Sequence, residues 1–119
     1  MSFFDWFVPA LKFRGVDVPS ETAAKLETIE REFGPWWMLA ERNAVANRDS
    51  LAEQFPGRDV LPFARRGDRD DVACVVTRDP HRPKGSVIIV HDGAMPGSEL
   101  DAEFASLADW YAAASVPES

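Results

Sequence analysis

The residues with the most evident chemical potential are three closely spaced aspartates, Asp68, Asp70 and Asp71. Clustered carboxylates can hold a divalent cation, and a calcium loop of the EF-hand type needs a glycine at its sixth position and a glutamate at its twelfth. Counted from Asp68, those positions hold Ala73 and Asp79. The pattern therefore fails, and we predict a solvated turn without a metal ion, because aspartate is common in turns for local hydrogen-bonding reasons.

Histidine and cysteine, the other residues typical of reactive sites, are few. His81 and His91 are the only histidines, and their spacing is not that of zinc ligands. An enzyme would need a pocket that joins His91 to a carboxylate such as Asp92. The single cysteine, Cys74, lies in an apolar run and is predicted to be a buried small hydrophobe. Since no nucleophile stands beside a base and no phosphate-binding loop is present, we expect no catalytic site and no cofactor.

Two adjacent tryptophans, Trp36 and Trp37, begin a short apolar run that is typical of a strand. Neighbouring side chains of a strand point to opposite faces, so one tryptophan could fill the core while the other faces outwards as an interface anchor. Burial of both is the favoured interpretation, because a small domain needs its large apolar groups in the core.

The formal net charge of the 119 residues is -7. This charge argues against nucleic acid, whose binding requires a basic surface, and against an anionic membrane. Beyond Lys84 the chain carries acidic residues and no lysine or arginine. The negative charge could steer the chain toward a basic partner, but the favoured interpretation is that many bacterial proteins are simply acidic. A cytoplasmic location is expected, since the N-terminal segment lacks the basic start of a signal peptide and no apolar run is long enough to span a bilayer.

The elements that must position these residues run from helices to strands and back to a helix. We predict helices over 2–12, from Ser20 to the stop at Gly34-Pro35, over 41–54 and over 99–114. We predict strands over 36–39, 60–64, 72–77 and 86–91, of which the last two pair as an antiparallel hairpin. Pro62 marks its strand as an edge strand or a bent one. This order indicates a single α+β domain over residues 1–119.

The segment from Phe55 to Asp68 carries a resemblance to a known family. Leu61-Pro62-Phe63-Ala64, a short turn, then Gly67-Asp68 and an apolar strand resemble the SUKH superfamily, which includes a fungal cell-wall-synthesis regulator and many bacterial immunity proteins. The resemblance continues in Gly85–His91 and Phe104–Trp110, so that it is clearest over 36–114. The chain lacks the Asn-Gly-Gly-like turn that the family usually has.

The resemblance implies a mainly antiparallel sheet flanked by helices, and binding rather than catalysis. In bacteria it implies an immunity protein that neutralises a nuclease-like toxin by direct contact; the alternative is a regulatory or scaffold domain that binds a host protein. A monomer and a weak homodimer both remain open. Aromatic and acidic residues of this chain are expected to contact a basic partner. They are Trp36, Trp37, Asp68, Asp70, Asp71, Asp92, Glu99, Asp101 and Glu103.

Overall fold

The computed structural model describes residues 4–29, 32–68, 70–91 and 100–115. The elements in these ranges, in chain order, are α1 (Phe4–Phe13), α2 (Ser20–Leu26), β1 (Glu32–Phe33), β2 (Trp36–Met38), α3 (Glu41–Gln54), β3 (Asp59–Arg66), β4 (Asp71–Arg78), β5 (Val87–His91), β6 (Leu100–Phe104) and α4 (Leu107–Ala114). The strands form one antiparallel sheet in the order β1 to β6. The predicted α+β class and the antiparallel pairing of β4 with β5 are confirmed.

Helices cover both faces of the central strands. On one face α1, α2 and α4 enclose an apolar core that includes Phe7, Phe63 and Trp110. On the other face α3 packs against β3, where Leu51 and Phe55 meet the second apolar cluster of the sheet. A strand covered on both sides needs apolar residues at nearly every position, which explains why β4 and β5 stand out as continuous apolar runs. Cys74 lies buried in this second cluster, as predicted.

The two ends of the antiparallel sheet are formed by different turns and loops. The turn end is formed by the β1–β2 turn, the β3–β4 turn and His91, the last residue of β5. The loop end is formed by Arg58, which precedes β3, and by the β4–β5 connection over 79–86. In the described ranges no helix has the length and apolar character needed to cross a membrane.

The second helix is shorter than the sequence predicts. It ends at Leu26 instead of Gly34, and Phe33 lies in β1. Gly34 has a φ of 61° and, with Pro35, turns the chain between two strands. Glycine and proline therefore end a strand here and not a helix, because the tight turn requires a residue that tolerates a positive φ.

The predicted helix over 99–114 is wrong in its first half. Leu100–Phe104 is strand β6, which pairs with β5, and α4 begins at Leu107. Ser106 is the N-cap of this helix, since its hydroxyl accepts a hydrogen bond from the backbone N–H of Asp109 at 3.2 Å. The first backbone N–H groups of a helix have no acceptor within the helix, and a cap of this kind supplies one. The cap therefore fixes the boundary between strand and helix.

Pro62 lies in an interior strand, so the prediction of an edge strand is wrong. The strand is nevertheless irregular, as the alternative predicted, because the register to β4 shifts between Pro62 and Ala64. An irregularity of this kind accommodates a residue that has no N–H to donate. Leu61 and Phe63 face the core, since both are buried among its residues.

Candidate functional site

The two adjacent tryptophans lie on opposite faces of β2. The ring of Trp36 is buried and meets Trp110 edge to face, with 5.9 Å between the ring centroids. Trp37 is 47% exposed. The favoured prediction that both are buried is therefore wrong for Trp37. The physical reason is its position near the edge of the sheet, beyond the part of this face that α3 covers by packing against β3.

Trp37 is the centre of a cross-strand row on the outer face. The register places Glu32 of β1 on one side of it and Arg65 of β3 on the other. Directly opposed residues of antiparallel strands have neighbouring side chains on the same face. The Arg65 guanidinium donates to the Asn47 side-chain oxygen on α3 at 2.5 Å, which fixes its position beside the row. We call these four residues, Glu32, Trp37, Arg65 and Asn47, the Trp37 surface.

A second row of polar side chains lies on the opposite face, at the turn end. The register pairs Arg66 with Asp71, and Asp71 with His91. One Asp71 carboxylate oxygen lies 3.2 Å from His91 Nδ1. The Arg66 guanidinium donates to both carboxylate oxygens of Asp68, at 3.0 and 2.7 Å, and its carbon lies 5.6 Å from the centroid of the Trp36 ring. The row therefore joins three strands through charged and aromatic groups.

The predicted solvated turn is right for Asp68 and Asp70 and wrong for Asp71. The first two are exposed, whereas Asp71 is the first residue of β4 and is only 4% exposed. Its side chain points to the face covered by α1, α2 and α4, as Ala73 two positions later does. Asp71 is therefore a buried member of the polar row and not a surface contact.

The remaining acidic candidates lie in different surroundings. Asp92 and Glu99 lie outside the described residues, as does the side chain of Asp101. Glu103 is exposed on β6 and forms an ion pair with Arg82 of the β4–β5 connection. This places Glu103 at the loop end of the sheet, away from the aspartates of the turn end. His91 contacts the carboxylate of Asp71, where the sequence suggested Asp92.

A histidine beside a buried carboxylate could act in acid/base catalysis if a nucleophile and a substrate cavity were also in reach. The register places Asp71 opposite His91, and Cys74 lies in the apolar cluster on the other face. Three clefts lined by described residues include neither His91 nor Asp71. Within the described ranges there is also no group of three residues suited to hold a metal ion. The cross-strand contact that this row shows is the one between the Asp71 carboxylate and the His91 ring.

The exposed charged side chains are mainly acidic. Among the described residues, twelve carboxylate side chains are exposed and five cationic ones are: Asp5, Asp17, Glu21, Glu27, Glu32, Glu41, Asp49, Glu53, Asp68, Asp70, Glu103 and Asp109 against Lys12, Lys25, Arg42, Arg78 and Lys84. Several arginines are drawn inwards together with the carboxylates that they pair with. Arg48 lies 3.1 Å from Asp59, and Arg58 lies 2.8 Å from Asp79. The solvent therefore meets mainly negative charge, which attracts cationic partners.

Two of the inner carboxylates have a lowered pKa. Burial acts to raise the pKa of Asp79. The hydrogen bond from the His81 amide and the guanidinium groups of Arg58 and Arg82 have a larger combined effect, so the pKa lies below its ordinary value. Burial also acts to raise the pKa of Asp59, but hydrogen bonds from Arg48 and Thr77 and the charges of Arg48 and Arg14 together lower it below its ordinary value. Both groups consequently prefer the charged form in the folded chain.

We expect Asp79→Asn to lower the free energy of unfolding by about 2 kcal/mol at about pH 7, because it removes a charged acceptor from two arginines. A carboxyl whose folded pKa is lowered stabilises the fold above its unfolded value, near 3.8, and loses this effect as the pH falls through the folded value. The difference between variant and wild type should therefore shrink below about pH 4. Urea unfolding across this pH range tests it, with exposed Asp49→Asn as control. An equal loss at every pH would contradict the expectation.

Comparisons with models of known protein families, with curated proteins and with solved structures find no match to this chain. The site must therefore be interpreted from its own residues. The sequence did not reveal Glu32 and Asn47 as members of the Trp37 surface, because their approach to Trp37 depends on strand register and on the packing of α3. It placed Arg65 and Arg66 in a turn, whereas β3 continues to Arg66.

Proposed function

We propose that this chain is a non-catalytic protein-binding domain, and that Trp37 is the anchor of its contact with a basic partner. The observation that carries the proposal is the exposure of Trp37 on an ordered strand. Trp36 and Trp110 are buried, and Trp6 is half-buried. A large ring held outwards by the backbone of a sheet loses little conformational freedom on binding, and tryptophan is enriched among the residues that dominate binding energy.

The groups around Trp37 have the character of an interface rim. Glu32 and Arg65 lie on either side of the ring, and Asn47 holds the guanidinium in place. Polar groups in such positions exclude water from the central aromatic contact and give it specificity. The exposed carboxylates of Asp68 and Asp70 follow at the turn end, where β3 passes into β4. They extend the negative charge next to the anchor and would speed the approach of a basic protein.

The resemblance to the SUKH superfamily supports a particular kind of partner. It implies an α+β fold with a sheet flanked by helices, and the chain has this architecture. Within that superfamily, immunity proteins neutralise nuclease-like toxins by direct contact. A nuclease presents a basic face to its nucleic-acid substrate, so an acidic surface that carries an aromatic anchor would compete for that face. We therefore propose a nuclease-like toxin domain as the partner.

We expect Trp37→Ala to weaken partner binding by about 30-fold or more, which corresponds to about 2 kcal/mol, because the anchor is truncated. The change should lower the free energy of unfolding by less than about 1 kcal/mol, since half of the ring already meets solvent. The measurement is titration calorimetry with the partner isolated by affinity capture from the native lysate.

The matched control is Phe13→Ala, which removes another exposed aromatic ring, 88% accessible, at the end of α1. This variant should bind as the wild type does. Equal affinity of the wild type and Trp37→Ala would overturn the assignment of the anchor. If Trp37→Ala still bound the partner but no longer inhibited its nuclease activity, the proposal that binding through Trp37 neutralises the toxin would be overturned.

A further inference from the structure

The first helix, α1, carries apolar residues on its outer face as well as on its inner one. Phe7 and Leu11 are fully buried and face the core. Trp6, Pro9 and Phe13 follow one another at the spacing of neighbours on a helix surface, and they form a stripe turned away from the core. Pro9 is exposed, Trp6 is half-buried and Phe13 is 88% exposed. We call these three residues the outer stripe. A surface helix normally presents polar residues to water, so an apolar outer stripe indicates a contact surface.

Two charged residues of opposite sign flank the outer stripe on one side. Asp5 lies in the first turn of α1 and Lys12 in its last, and both are exposed. They are seven positions apart, which corresponds to about two helical turns and about 10 Å along the axis. Trp6 and Phe13 are also seven positions apart. Each charged residue directly precedes an aromatic one, so the helix carries the same pair of groups at both ends with the charge reversed.

We propose that the outer stripe binds the outer stripe of a second copy of this chain, in an antiparallel homodimer with a two-fold axis at Pro9. In this arrangement Trp6 of each copy meets Phe13 of the other, and Asp5 of each copy meets Lys12 of the other. The axis repeats every contact, so the interface contains two aromatic pairs and two ion pairs. A parallel arrangement would oppose like charges, and charge complementarity therefore selects the antiparallel one.

The size of the outer stripe makes this dimer a weak one. The helix has ten residues and is therefore about 15 Å long. Stable interfaces bury about 800 Å² of each partner, which is more than one face of so short a helix provides. We expect a dissociation constant of about 0.1–1 mM. At low micromolar concentration the chain is then largely monomeric, so Phe13→Ala remains a valid control for binding at the Trp37 surface and for stability. The dimer contact shares no residue with that surface and does not depend on the function proposed for it.

Sedimentation equilibrium between about 10 µM and about 2 mM tests the dimer, and the wild type should show the dissociation constant given above. Phe13→Ala should raise this constant at least about tenfold, because it removes both aromatic pairs. The matched control is Val45→Ala, which truncates an exposed apolar side chain on α3. This control should leave the constant unchanged.

Charge reversal tests the antiparallel orientation. Asp5→Lys alone opposes two cations at each ion pair, and Lys12→Asp alone opposes two carboxylates, so each variant should dimerise at least about fivefold more weakly than the wild type. An equimolar mixture of the two variants restores both ion pairs and should form a heterodimer about as tight as the wild-type dimer. In a parallel dimer like charges would already face each other in the wild type, and neither single variant would then weaken it.

Amide chemical shifts of the wild-type chain give a second measurement that does not depend on the folding of a variant. Dilution from about 2 mM to about 20 µM should shift the amides of residues 5–13 and leave those of 32–37 in place. A chain that is monomeric at 2 mM, shifts confined to another surface, or an unchanged dissociation constant of Phe13→Ala would each overturn the proposal. Single charge variants that dimerise as the wild type does, or a mixture that does not restore the dimer, would overturn the antiparallel arrangement and with it the proposal.

Discussion

Asp71→Ala is expected to lower the free energy of unfolding by about 1–3 kcal/mol, because it removes a buried carboxylate that contacts His91 across two strands. Asp71 is the cross-strand neighbour of Arg66 on one side and lies 3.2 Å from His91 on the other. Arg66 would keep its two hydrogen bonds to Asp68, whereas the His91 ring would lose the carboxylate that it contacts. Removing one partner of a part-buried polar contact costs about 1–3 kcal/mol, because the remaining group loses its hydrogen-bond partner.

The measurement is the midpoint of urea unfolding, converted to a free energy. The control is Asp70→Asn at the preceding position, which is exposed and has a φ of 54°. Asparagine tolerates this left-handed conformation, so the control removes a charge without strain and should change the free energy of unfolding by less than about 0.5 kcal/mol. If Asp71→Ala were as stable as this control, the polar row would not contribute to the fold.

Trp110→Ala is expected to cost about 3–5 kcal/mol of stability, because truncation of a large buried ring removes its contacts and leaves a cavity. The Trp110 ring lies 4.8 Å from Phe63, 5.8 Å from Phe33 and 5.9 Å from Trp36, measured between centroids. It thereby joins α4 to the first three strands of the sheet. Small domains are stable by only about 5–15 kcal/mol, so this single change should bring the chain close to unfolding.

Urea unfolding of Trp110→Ala tests this expectation against Phe13→Ala, which truncates an aromatic ring outside the core. The control should lie within about 0.5 kcal/mol of the wild type. A loss of less than about 1 kcal/mol in Trp110→Ala would contradict the role given to the ring. The same variant should also weaken partner binding only in proportion to its unfolded fraction, because the ring is buried beneath β2 and does not reach the Trp37 surface.

The sequence predicts the central elements of the fold well because their signals are local. The apolar runs of β4 and β5 are continuous, and α3 lies within its predicted bounds of 41–54. The short strands β1 and β6 are missed for a different reason. Leu100, Phe104 and Leu107 have helical spacing, and only the pairing of β6 with β5 and the Ser106 cap separate strand from helix. Such pairing is a tertiary contact, and the spacing of apolar residues along the chain does not predict it.

The candidate site is only partly predictable for the same physical reason. The alternation of faces along a strand predicts that Trp36 and Trp37 separate, but the exposure of Trp37 depends on how far α3 extends over the sheet. Asp71 shares its sequence surroundings with the exposed Asp70, yet it is buried because the register brings Arg66 and His91 beside it. Burial of a carboxylate is tolerable only with such partners, and these come from two other strands.

The central claim is that this chain binds a basic protein through Trp37, and affinity capture with matched variants tests it most directly. Tagged wild type, Trp37→Ala and Phe13→Ala would each be incubated with the native cell lysate at low and at high salt, and the bound proteins quantified by mass spectrometry. We predict one near-stoichiometric basic partner with a nuclease-like domain, retained by wild type and Phe13→Ala at low salt, reduced at high salt and lost with Trp37→Ala. Equal capture of that partner by Trp37→Ala, or capture of no stoichiometric partner by the wild type at either salt, would contradict the claim.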